Sequence, residues 1–156
     1  MVWLDSIRLR SRSSRAHLKA IEAAGEVPSS VSAATLLSSL SDPDARVRLA
    51  AAQVLVQHAD PAHVPHFIDL LVDEHFEVRL TAVQYLGRIS DPDLAQALIP
   101  RLADVDSDVR RAAALALGAF RNPLALEPLV LSLADEEPAV RHAAAAALEQ
   151  IDSRWV

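Results

Sequence analysis

The stretch Asp104-Val105-Asp106-Ser107-Asp108-Val109-Arg110-Arg111-Ala112-Ala113-Ala114-Leu115-Ala116-Leu117-Gly118 decides the fold, because its pattern comes back along the chain. Val47-Arg48, Val78-Arg79, Val109-Arg110 and Val140-Arg141 follow one another at a spacing of 31 residues, with no insertion or deletion. Three residues after each Arg stands an Ala: Ala51, Ala82, Ala113 and Ala144. Seven after it stands a Leu: Leu55, Leu86, Leu117 and Leu148. Six before it stands an Asp: Asp42, Asp73, Asp104 and Asp135. Self-similarity at a fixed period of this size marks a stacked-repeat solenoid, in which no unit can bury its apolar face alone.

Each repeat reads as two helices. Leu36, Phe67, Leu98 and Leu129 hold one position of the first helix (helix A), and Leu37, Ile68, Ile99 and Val130 hold the next. Leu40, Leu71, Leu102 and Leu133 close the same face, which is a helical stripe. Asp60-Pro61, Asp91-Pro92 and Asn122-Pro123 each place a capping side chain before a Pro at the first helical position. Ser41-Asp42-Pro43-Asp44 starts the first helix B, expected over about 44–57. Pro100 falls inside helix A of the third repeat and predicts a local kink. The expected organisation is an all-α array over 32–156, divided at 32–60, 61–91, 92–122 and 123–156. A degenerate capping repeat over 1–31 precedes it, in which Ala20 and Gly25 keep the register and His17 replaces the Arg.

Composition agrees with helices. Of 156 residues 51% are apolar and only 4% aromatic, and the apolar ones are mainly Ala, Leu and Val, which suit close helix packing. Three glycines leave little room for hairpin turns, and the absence of Cys excludes disulfides and thiolate metal sites. The apolar stretches are too short to span a bilayer, and the N-terminal residues lack a signal-peptide core, so the expected location is cytoplasmic. The formal charge is −6. Arg8, Arg10, Arg12, Arg15 and Lys19 oppose Asp5, Glu22 and Glu26 in 1–31, leaving the repeat array strongly acidic and poorly suited to a nucleic-acid backbone. The basic stretch is expected to be a short helix covering the end of the stack, with a membrane-surface or partner-binding helix as the alternative.

The 104–118 string resembles a HEAT repeat of the short bacterial type, also called phycobilin-lyase-like. The 73–87 and 135–148 strings resemble it nearly as closely, and 42–55 somewhat less. The resemblance implies a right-handed α-α superhelix with helix B lining the concave side. It also implies a ladder between repeats, built from the turn Asp and the Arg. The Asp can accept from orphan donors at the start of helix B, and the Arg can bridge to that Asp or to its neighbour's. The family spans scaffolds, pigment lyases, a metal-dependent hydroxylase and a DNA glycosylase, so the fold does not name an activity. The hydroxylase holds two irons with His-Glu pairs at the start of helix B. Here the matching positions read Leu49-Ala50, Leu80-Thr81, Arg111-Ala112 and His142-Ala143, so no metal is expected. His58, His63 and His66, near Asp60 and Asp69, read as a solvated turn rather than a metal cage. A glycosylase needs a cationic groove, and helix B offers only Arg88 and Arg111, set against Glu149.

The outward face of helix B carries the candidate partner-binding residues: Leu49, Gln53, Val56, Leu80, Val83, Gln84, Arg88, Arg111, Leu115 and His142. Its apolar members Leu49, Val56, Leu80, Val83 and Leu115 are expected to form an exposed strip, against a competing reading that packs part of it between repeats. The expected function is a non-enzymatic scaffold that holds a protein or peptide there, with no catalytic residue and no cofactor. The alternative is a phycobilin-lyase-type factor handling a tetrapyrrole or its apoprotein.

Overall fold

Each Asp-Pro or Asn-Pro pair starts a helix by the expected hydrogen bond. Asp60, Asp91 and Asn122 accept the backbone N–H of Ala62, Asp93 and Leu124 at 2.9, 3.0 and 3.0 Å. In these three repeats the chain enters helix A through a single 3₁₀ turn, with Pro at its first position. The computed structural model describes Ser14, Ala16, Lys19 and residues 33–152. Ser14, Ala16 and Lys19 are helical. Otherwise the expectations for the basic N-terminal stretch, for His17, Ala20 and Gly25, and for Arg154-Trp155-Val156 lie outside the described residues.

Residues 33–152 form eight α-helices in four pairs. The A helices are α1 (Ala33–Ser39), α3 (Val64–Leu70), α5 (Ala95–Leu98) and α7 (Leu126–Ser132). The B helices are α2 (Ala45–Val56), α4 (Phe76–Ile89), α6 (Ser107–Phe120) and α8 (Pro138–Ile151). The fold is all-α with paired helices, consistent with the expected superhelix. Around Pro100, where a kink was expected, α5 is only four residues long and passes into a 3₁₀ helix, Ile99–Ala103. Among the described residues no helix is long and apolar enough to cross a membrane.

The chain divides into two compact units, Met1–His58 and Ala59–Val156. In the first, α1 and α2 bury Leu36, Leu40, Val47, Ala51 and Leu55. Buried Ser14 donates to the Asp42 carboxylate at 2.7 Å. In the second, three helix pairs follow one another and the B helices pack side by side. Val78, Ala82 and Leu86, with their equivalents in α6 and α8, are fully buried or nearly so. Leu133 departs from the helix A pattern: it stays 38% exposed where Leu71 and Leu102 are buried.

The B helices of the second unit approach closely because small residues face each other. A Cβ on Gly87 would come 3.1 Å from the Ala116 Cβ, and one on Gly118 would come 2.7 Å from the Ala147 Cα. Both glycines lie in the last turn of their helices, where Gly is still a poorer helix former than Ala, so packing outweighs propensity there.

The Arg–Asp ladder joins successive repeats. Arg79 grips the Asp104 carboxylate through Nε and Nη2, both at 2.8 Å, while its Nη1 donates to the carbonyls of Asp73 and Glu74. Arg110 repeats this with Asp135 at 2.8 and 2.9 Å and with the carbonyls of Asp104 and Val105. Of the two partners foreseen, each Arg therefore takes the next repeat's Asp by its side chain and its own turn by the carbonyls. Each carboxylate also accepts the N–H two residues on, Asp106 for Asp104 and Glu137 for Asp135. Arg48 and Arg141 hold the carbonyls of their own turns in the same way. Burial alone would raise the Asp104 carboxyl, but hydrogen bonds from Arg79 and the Asp106 N–H, with the charges of Arg79 and Arg101, hold it below the ordinary 3.8. Asp135 is lowered chiefly by its hydrogen bonds from Arg110.

Three outcomes follow from this packing. Leu86→Ala destabilises by about 2–5 kcal/mol in denaturant unfolding, as a buried Leu truncation does. Gly118→Ala destabilises by about 1–3 kcal/mol through overpacking, whereas Gly87→Ala stays within roughly 1 kcal/mol of the parent chain. The pH dependence has a definite sign. The folded carboxyls of Asp104 and Asp135 lie below their unfolded value, so their stabilisation is complete above that value and is lost as pH falls through the folded ones. Thermal melts therefore show a drop in Tm that steepens below about pH 4 and is blunted in Asp135→Asn.

Candidate functional site

The ladder defines the faces of helix B. Residues one and five after each Arg turn away from the core. In the first unit these are Leu49, half-buried, and Gln53, exposed, with Val56 half-buried nearby. In the second unit Leu80 is half-buried and Gln84, Arg88, Arg111 and His142 are exposed. Leu115 is 46% exposed, and Ala146 is half-buried. The face is therefore mixed: amides and cations around one well-exposed leucine. Arg111 pairs with Asp108 at 3.1 Å, and His142 Nδ1 lies 2.8 Å from the Pro138 carbonyl, so both are held against their own helix.

Val83 is a correction. It was expected on the exposed strip and is 0% exposed. The reason is geometric. Residues i and i+4 share a helix stripe, and Arg79, four residues before Val83, points at the next repeat's Asp104. Val83 therefore faces the next repeat as well. Ala114 stands in the same relation to Arg110 and is also buried. The signal was present in the sequence: the ladder Arg marks the side that its neighbour covers.

The ladder arginines are committed to structure. Arg79 and Arg110 spend their donors on a carboxylate and two carbonyls each, which raises their own pKa through those carboxylate hydrogen bonds and leaves no cationic ladder for a ligand. The histidines form no centre: among the described residues no group of three or more His, Asp or Glu could hold a metal. His63 is partly buried, with Nδ1 unpartnered, and His66 is exposed.

Sequence reasoning passed over two features. Tyr85 is fully buried, stacked on Phe67 with centroids 3.5 Å apart. Its hydroxyl donates to the Asp60 carbonyl at 2.6 Å and accepts the Asp60 N–H at 3.0 Å, pinning the turn that starts helix A. Burial pushes its phenol up, so it stays neutral. The second feature is where exposed apolar side chains gather. In the second unit Val72, Val105 and Leu131, all on the helix A side or its turns, are more exposed than any apolar residue of the helix B face.

The comparisons with known proteins match this geometry. The family model described as HEAT repeats matches residues 6–76, 33–117 and 96–154. It is coarser than the phycobilin-lyase-like subtype, which no comparison singles out. No curated protein matches the chain. Three crystal structures, each described as an engineered protein, are similar in fold. One is 22% identical with a TM-score of 0.66, over 90% of this chain and 72% of that one. Another is 22% identical with a TM-score of 0.64, over 92% and 75%. The third is 23% identical with a TM-score of 0.64, over 88% of this chain and 43% of that one.

The face assignment has a direct check by thermal melting. Leu115→Glu leaves stability within about 0.5 kcal/mol, as exposed substitutions do. Val83→Glu, which buries a carboxylate without a partner, costs several times more.

Proposed function

The chain belongs to the HEAT-repeat family, and on that premise we propose that it is a non-enzymatic interaction module that holds a protein or peptide segment on the outward face of its B helices. The supporting observation is the second unit's row of Gln84, Arg88, Arg111, Leu115 and His142, exposed on three successive rigid helices in one register. A side-chain amide can donate to and accept from an extended backbone at once. Arg88 favours a carboxylate, Arg111 can take one only in exchange for Asp108, and Leu115 supplies an apolar contact. The partner segment this fits is extended and acidic, with an apolar residue set among its carboxylates. Within the first unit itself, Leu49, Gln53 and Val56 are the proposed partner-binding residues. No specific observation favours the tetrapyrrole reading.

Capture from a native-host lysate tests this, comparing the parent chain with Arg88→Glu/Leu115→Glu. Both sites are exposed, so the variant should melt within about 0.5 kcal/mol of the parent. The expected result is that partners captured by the parent are absent from the variant by quantitative mass spectrometry. An unchanged partner set would overturn the proposal.

A further inference from the structure

The edge formed by the turns between helices A and B holds a second surface with different chemistry. An open hollow of about 510 Å³ lies there, lined by Glu74, His75, Phe76, Glu77, Arg79, Val105 and Asp106. Two apolar side chains meet water in it: Val105 is 91% exposed and Phe76 39%. The repeat register shows how unusual this is. The residue five before the ladder Arg is Pro43, Glu74, Val105 or Glu136, and the residue three before it is Ala45, Phe76, Ser107 or Pro138. Large apolar groups thus stand at one repeat junction where the other repeats carry Pro, Glu, Ala or Ser, and both line the same hollow.

The charge around this pair is negative. Arg79 is the one strong cation in the wall, and it is already neutralised by its two-point grip on Asp104. Asp106 accepts the N–H groups of Asp108 and Val109, Glu74 lies 3.5 Å from His75 Nδ1, and Glu77 is exposed, its carboxylate without a partner among the described residues. We propose that this hollow docks an extended segment of a partner protein that carries an arginine beside an aliphatic residue. The aliphatic side chain covers Val105. The arginine stem lies along the Phe76 ring, with its guanidinium over the ring and toward Glu77. An acidic ligand is repelled here, so this site and the outward helix B face select opposite charges.

The test uses the full chain and three fluorescein-labelled dodecapeptides: alternating Arg and Leu, alternating Arg and Ser, and alternating Glu and Leu. Fluorescence anisotropy should show saturable binding of the Arg–Leu peptide alone. Val105→Ser should weaken it about tenfold, the scale of one lost apolar contact. Glu77→Gln should weaken it several-fold and reduce its salt dependence. Leu124→Ser, at an exposed leucine outside both surfaces, should leave it unchanged. Equal binding of the Arg–Ser peptide would reveal unspecific charge attraction and overturn the proposal. So would insensitivity to both Val105→Ser and Glu77→Gln, absence of binding, or loss of binding in Leu124→Ser. Val105 and Glu77 are exposed, so matched melting curves separate lost binding from lost folding.

Discussion

Arg110 reaches 25 residues along the chain to close both arms of its guanidinium on Asp135, and Arg79 does the same to Asp104. A bidentate pair fixes orientation as well as distance, which a loose lysine contact would not. The same Arg also ties down the carbonyls of its own turn, and the same Asp also accepts the N–H that opens the next helix B. One side chain pair thus completes the hydrogen bonding of two turns and sets the spacing between them. The apolar register needs that spacing. Gly118 meets Ala147 with no room for a methyl group, so a small shift in the stack would open a void or force a clash.

Most of the fold was legible because its determinants are local and repeat. The Asp-Pro caps, the stripes and the effect of Pro100 each follow from a few neighbouring residues. What was not legible depends on contacts between repeats. Val83 sat on the outer half of a helical wheel, yet the wheel does not show which of its sides a neighbour covers. The ladder Arg held that information, because it points to the covering repeat. Tyr85 occupies a position that is Val54, Ala116 or Ala147 elsewhere, and nothing local says that its ring stacks on Phe67 and its hydroxyl closes the turn at Asp60.

Exposure along the proposed face was legible only in part. Gln53, Gln84, Arg88, Arg111, Leu115 and His142 are exposed, as an outward face requires, while Leu49, Val56 and Leu80 are half-covered. The face is less apolar than the sequence suggests, because half-burial removes much of the leucine surface. The exposed apolar groups lie instead at the turns and on helix A, where the turn residue Val105 stands out of a polar edge. A repeat protein can vary such positions freely: the ladder and the core fix Asp, Arg, Ala and Leu in every repeat, and the side chains between them set the surface.

The central claim is that the guanidinium–carboxylate pair between repeats is a specific structural clamp rather than a surface ion pair. A double-mutant cycle on stability tests it most directly, with Arg110→Met, Asp135→Asn and the two together, measured by denaturant unfolding near neutral pH. The account predicts that the single substitutions are strongly non-additive, with a coupling of about 1.5–3 kcal/mol. Additive effects, with a coupling below about 0.5 kcal/mol, would place the pair among weak exposed contacts and contradict it.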